Sequence, residues 1–246
     1  MVRKPELLAP AGDLNRLRYA LAYGADAVYA GQPAFSLRAR ENGFRSLDDI
    51  AEGIAICREQ GKKFYLTSNV IARNGKVEPF CKTLLEAAAL GPDAVIVADP
   101  GVVGFLRKEI PEMEVHLSVQ ANTTNWLTAA FWADLGVKRI ILSRELSLKE
   151  VLEKYNPDRV IIEPSGVGKL SDVVKAVEAV GEVVNSSVTV VDGQKCNMYM
   201  KNFGEFFNNQ IENAGTIVIS RTQKMKEDKL EKCVAQIKEK NNQAIT

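Results

Sequence analysis

The chain has 246 residues, 46% of them apolar and 26% charged. That balance excludes a disordered, collagen-like or fibrous protein and leaves room for one large α/β domain or two small ones. Lys and Arg number 32 against 31 Asp and Glu, a net charge of +1 that marks no polyanion-binding surface and leaves nucleic-acid binding open.

Cys57, Cys81, Cys196 and Cys233 lie far apart, with no CxxC and no Cys/His clustering. This is the pattern of reduced thiols in a cytoplasmic protein rather than of a disulfide framework or metal site. The first residues carry no apolar leader, and no apolar run approaches the ~20 residues of a membrane span. A soluble, cytoplasmic protein without membrane association is expected.

Nine β-rich runs alternate with helical patterns. The first run, 6–11, precedes a helix that Asp13 can cap and Gly24 can stop. The run at 27–31 leads to a helix capped by Ser46 and stopped by Gly61, and then to 63–69. Runs at 94–99 and 115–121 follow, and Asn125 opens a helix ending at Leu135 and Gly136. Next come the run at 139–143, a helix at 147–155, and runs at 159–165, 187–193 and 216–220. The last helix places Leu230, Cys233, Val234 and Ile237 on one face.

Near-continuous apolar runs are those of parallel strands covered on both faces, and their starts recur about every 20–36 residues, the spacing of single βα units. The fold class is therefore α/β, a TIM-barrel-like (βα)8 of parallel units, imperfectly closed because nine runs exceed eight; an open sheet is the alternative.

In a barrel, chemistry sits where strands end at their C-termini. Those positions supply Asp13, Arg38, Arg40, Asn69, Arg73, Asp99, Gln120, Asn122, Arg144 and Glu145. Such a rim suits a polar or anionic substrate, peptide or RNA, through charge-assisted hydrogen bonds. The plainer alternative makes Asp13 and Asp99 helix caps and leaves the arginines solvated. Alternation puts His116, Ser118 and Gln120 on one face, but His116 stands at the wrong end of its strand for catalysis and reads as part of a structural polar layer. There is no GxSxG and no HExxH, hence no serine-hydrolase elbow or zincin.

Several segments together resemble the collagenase-like U-type peptidases of family 32 across residues 1–148. They are Pro5-Glu6-Leu7-Leu8-Ala9-Pro10-Ala11-Gly12-Asp13-Leu14, Tyr23-Gly24-Ala25-Asp26-Ala27-Val28-Tyr29, Phe35-Ser36-Leu37-Arg38-Ala39-Arg40, Asp93-Ala94-Val95-Ile96-Val97-Ala98-Asp99-Pro100-Gly101, His116-Leu117-Ser118-Val119-Gln120-Ala121-Asn122 and Leu142-Ser143-Arg144-Glu145-Leu146-Ser147-Leu148. The resemblance implies a TIM-barrel-like domain. It also implies a peptidase, or an accessory to hydroxylation of tRNA, ribosomal RNA or a quinone precursor, in some members with an iron–sulfur cluster. The family's later cysteine signature is missing from 149–246, so no cluster is expected and the activity is expected to be incomplete.

From 151 onward the chain resembles the CobW-type GTPases and metallochaperones. The segments are Tyr155-Asn156-Pro157-Asp158-Arg159-Val160-Ile161-Ile162-Glu163-Pro164-Ser165-Gly166, Val188-Thr189-Val190-Val191-Asp192 and Asn202-Phe203-Gly204-Glu205-Phe206-Phe207-Asn208-Asn209-Gln210-Ile211-Glu212. The resemblance places Glu163, Ser165, Gly166 and Asp192 near a nucleotide. Gly166-Val167-Gly168-Lys169 is not a phosphate loop, because Glu163 and Leu170 stand where GxxxxGK[ST] needs glycine and Ser or Thr. GTP and Mg²⁺ are therefore not expected as cofactors.

The chain reads as a hybrid of a 1–148 domain and a 149–246 segment. The second either completes the barrel or stands apart as a three-strand Rossmann-like, P-loop-GTPase-like piece beside six βα units. Three functions follow: a family-32 peptidase or hydroxylation accessory, a GTP-binding metallochaperone fragment, or an inert α/β fold.

Overall fold

The computed structural model describes residues 6–37, 42–143, 147–155 and 160–246. The chain divides into two units, Met1–Leu146 and Ser147–Thr246.

In the first unit, short apolar runs become strands and the capped segments between them become helices. The order is β1 (Leu8–Pro10), α1 (Leu14–Ala22), β2 (Ala27–Gly31), α2 (Leu47–Glu59), β3 (Lys63–Ser68), α3 (Asn74–Ala88), β4 (Ala94–Val97), α4 (Pro100–Glu109), β5 (Val115–Leu117), α5 (Trp126–Asp134) and β6 (Arg139–Ile140). Local chemistry sets the helix starts. Asp13 accepts the Arg16 N–H at 2.7 Å, Asn125 accepts that of Thr128 at 2.9 Å, and Ser46 forms a reciprocal capping box with Asp49. At the far end of α2, Gly61 takes φ 64°, a conformation that costs any residue with a Cβ.

All six strands are parallel and lie in the order β1-β2-β3-β4-β5-β6. Because the order never reverses, right-handed crossovers put every helix on the same face, unlike the doubly wound sheet, whose order turns back on itself. Strand alternation then separates two apolar sets. Val28, Ala30, Phe64, Leu66, Val95, Val97, Val115 and Leu117 pack under the helices, while Ala27, Tyr65, Ala94 and Ile96 line the opposite, concave face with Leu8, Tyr29 and Ile141. The sheet is a curled half-barrel.

The second unit holds α6 (Leu148–Tyr155), α7 (Leu170–Glu178), β7 (Val188–Asp192), α8 (Cys196–Asn202), α9 (Gly204–Glu212), β8 (Thr216–Ser220) and α10 (Glu227–Lys240). β7 and β8 form their own parallel sheet, in register from Val188 opposite Thr216 to Asp192 opposite Ser220. One face packs on the core of Val191, Cys196, Ile211, Ala214, Ile217, Cys233 and Ile237. Val188, Val190 and Val218 on the other face are exposed.

Two expectations fail. The run at 159–165 is no strand: its described part, 160–165, is irregular, with Ile161 87% exposed. A β-branched run becomes a strand only when another strand takes its N–H and C=O groups. Here β7 and β8 pair with each other, and the outer edge of β8 takes Ile245 instead. Among the described residues the second sheet therefore has two strands, not three. The run at 115–121 stops at Leu117 because the Ser118 hydroxyl accepts the Gln120 N–H and turns 119–121 into a 3₁₀ helix. Gln120 consequently leaves the face of His116 and is exposed.

Leu66, fully buried beneath the helices, should cost about 2–5 kcal/mol of unfolding free energy as Leu66→Ala. Leu7→Ala, at a 52% exposed position, should stay within about 0.5 kcal/mol. Urea titration of both variants checks the pair.

Candidate functional site

The concave face carries polar groups at both ends, and they differ in kind. At the N-terminal end the groups are charged and mutually satisfied. Glu6, just before β1, accepts hydrogen bonds from Tyr65 Oη at 2.9 and 3.0 Å and from the Arg139 guanidinium at 2.6 Å, with Lys63 at 3.5 Å. The Arg139 guanidinium also sits 5.3 Å from the Tyr65 ring centre. His116, 1% exposed, meets Tyr65 edge to face at 4.7 Å and holds Glu114 with Nε2 at 2.8 Å.

Burial alone would raise the Glu6 carboxyl. Hydrogen bonds from Arg139 and Tyr65, with the charges of Arg139 and Lys63, outweigh it and hold the group below the ordinary value. Burial pushes His116 down, past the opposing pull of Glu114, so it is neutral at pH 7. This end is the structural polar layer that alternation predicts for His116.

At the C-terminal end the described groups are neutral and incompletely satisfied. Asn69, following β3, accepts the Leu37 N–H with its Oδ1 and donates to Ser118 Oγ at 3.3 Å, which leaves one amide N–H uncommitted. Three of the six buried side-chain polar atoms without a hydrogen-bond partner among the described residues belong here: Ser36 Oγ, Thr67 Oγ1 and Thr123 Oγ1. Thr67 pairs in register with Gly31, and Ser36 Oγ fills the space that a Cβ at Gly31 would need. Any residue but glycine at 31 would expel the Ser36 hydroxyl. Each unmade buried hydrogen bond costs about 1–3 kcal/mol, so their concentration at one strand-end face marks a place where a ligand can recover that energy.

The residues singled out from sequence fall into distinct groups. Asp13 caps α1 and pairs with Arg16 at 2.9 Å; Asp99 caps α4 by accepting from the Gly101 and Val102 N–H groups. Both carboxylates are committed to helix starts. Asn122, at φ 51°, accepts from Ser143 Oγ at 2.5 Å beside the 3₁₀ turn. Asn69 faces the neutral cluster, whereas Gln120 and Arg73 are exposed. Arg38, Arg40, Arg144 and Glu145 lie outside the described residues.

In the second unit Glu163, Ser165 and Gly166 are exposed, and the Gly166 carbonyl accepts from Gln210. Asp192 instead binds Arg221 at 2.9 Å and accepts the Gln194 N–H. Ser36, Thr67, Ser118 and Thr123 escape sequence reasoning because a hydroxyl without a partner has no sequence signature; the strand-end position of Thr67 was the available signal.

Among the described residues no three His, Cys, Asp or Glu side chains converge to hold a metal ion. Cys57 and Cys81 stand in α2 and α3, and Cys196 and Cys233 in α8 and α10. These residues do not fit an iron–sulfur cluster. What the concave face offers a ligand is hydrogen bonding by its own side chains. No helix among the described residues is long and apolar enough to cross a membrane.

A family profile for peptidase family U32 matches residues 12–174. The chain belongs to peptidase family U32. A second profile, the CobW/HypB/UreG nucleotide-binding domain, matches residues 142–246. The U32 chain is 51% identical over 160 residues to tRNA hydroxylation protein P of Escherichia coli K12, covering 64% of this chain and 35% of that protein. It is 39% identical over 146 residues to the 23S rRNA 5-hydroxycytidine C2501 synthase of the same organism, covering 59% of this chain and 22% of the synthase. It thus spans about a third or less of the length of these relatives. A solved U32 peptidase, Mk0906, shares the fold at TM-score 0.50 and 15% identity, over 78% of this chain and 72% of that one.

The polar layer of this U32 chain makes acid stability predictable. Glu6 and His116 both have depressed values in the fold, so the unfolded chain binds more protons at low pH. The His116 contribution is lost as pH falls below 6.5, and that of Glu6 below 4.5. Urea midpoints measured from pH 7.5 to 4 should fall in both windows. His116→Gln should flatten the upper one and Glu6→Gln the lower one.

Proposed function

We propose that the first unit is the RNA-holding part of a U32 protein that serves RNA hydroxylation, with the C-terminal end of the half-barrel as its contact face. The observation that carries this reading is the 51% identity over 160 residues to a protein named for tRNA hydroxylation. The 39% identity to a synthase named for an rRNA hydroxycytidine supports it. A peptidase role rests on the family name alone. The relatives extend well beyond the matched segment, so the whole reaction is assigned to the longer protein and only the holding step to these residues.

The rim chemistry is of the type such a step needs. Unstacked bases are recognised through hydrogen bonds to their edges, with neutral donors and acceptors supplying specificity and cations supplying affinity. Ser36, Thr67 and Thr123 each offer a hydroxyl that donates or accepts, and Asn69 offers an amide N–H. With Asp13 and Asp99 committed as caps and His116 at the opposite end, the described rim binds and orients rather than moving a proton.

Binding of unmodified tRNA to the full chain, followed by fluorescence anisotropy over a salt series, tests the reading. Asn69→Ala and Thr67→Val should each weaken binding about 3- to 10-fold without changing the salt slope, since neutral contacts release no counterions. Unchanged affinity in both variants, or no tRNA binding by the wild-type chain, would sink it.

The profile match at 142–246 favours a second reading for the other unit, nucleotide binding near Glu163 and Ser165. That reading expects a saturable heat on titration with GTP and Mg²⁺ that is lost in Glu163→Gln; no heat with the wild-type chain would remove it.

A further inference from the structure

The second unit buries two of the four cysteines in one apolar cluster. Cys196 opens α8 and is 1% exposed, and Cys233 lies on the inward face of α10 at 3%. They share this cluster with Val191, Ile211 and Ile237, built where α8 packs against α10. They stand 37 positions apart, and no spacing rule in the sequence pairs them. Helix packing alone does, because α8 and α10 meet over the covered face of the β7–β8 sheet.

We infer that Cys196 and Cys233 form a redox modification site, a reversible disulfide that ties α10 to α8 when the chain meets a small two-electron oxidant. With an azodicarboxamide, one thiolate adds to a nitrogen of the N=N bond. The second thiolate then attacks the sulfur of that adduct, forming S–S and breaking S–N. The oxidant leaves as its hydrazine, carrying both electrons and both protons, and a dithiol reverses the reaction by exchange.

Burial keeps the pair in reserve. It pushes the Cys196 thiol up to about 12 and the Cys233 thiol up as well, so both are protonated and unreactive at neutral pH until the C-terminal helix opens locally. Once formed, the bond closes a long loop of the unfolded chain, which favours the folded second unit. Cys57 and Cys81, raised chiefly by burial in α2 and α3, serve as references within the same chain.

The test treats the full chain with diamide, alkylates remaining thiols in denaturant and maps the peptides. The expected result is one intrachain Cys196–Cys233 link per chain, reversed by dithiothreitol, with amide exchange in α10 slowed about tenfold or more. Cys233→Ala should abolish the link and leave Cys196 alkylated; if that variant does not fold, the wild-type map decides alone. Alkylation of both Cys196 and Cys233 after oxidation, links between chains or to Cys57 or Cys81, or unchanged exchange in α10 would each overturn the inference.

Discussion

Glu6 and Arg139 stand at the two edges of a six-stranded sheet, yet their side chains meet at 2.6 Å over the ring of Tyr65 in the third strand. Laid flat, six strands at about 4.8 Å spacing would hold those edges roughly 24 Å apart, beyond the joint reach of the two side chains. The contact therefore requires curl. Uniform strand order supplies it, since all helices crowd one face and leave the other to close on itself. The charged groups are only partly shielded from water, so the tie acts as a positional constraint more than as a large store of stability.

That curl also shapes the opposite end of the sheet. It turns the C-terminal ends of the strands inward, where Thr67, Asn69 and Ser118 share the concave side. The two ends illustrate a division familiar from barrels: a satisfied charged layer at the strand starts, and unsatisfied hydroxyls at the strand ends. Membership of family U32 is thus matched by a half-barrel whose open polar groups stand on the side where that architecture places its chemistry.

The second unit obeys a different constraint. Its two strands cover one face with α8, α9 and α10 and leave Val188, Val190 and Val218 exposed. The segment at 160–163 has strand composition but pairs with no strand, which is why composition misread it. Its thiol pair, by contrast, is a product of helix packing that no local pattern records.

The sequence by itself determined the βα alternation and the helix caps at Asp13, Ser46 and Asn125. These depend on contacts within about four residues, which spacing encodes directly. Tertiary structure alone decided the rest. It chose which β-rich runs found partners, brought together two side chains 133 positions apart, and left Ser36, Thr67 and Thr123 without partners among the described residues. Each of these outcomes turns on whether a distant group arrives within hydrogen-bonding range, and that distance is set by how the chain packs, not by its order.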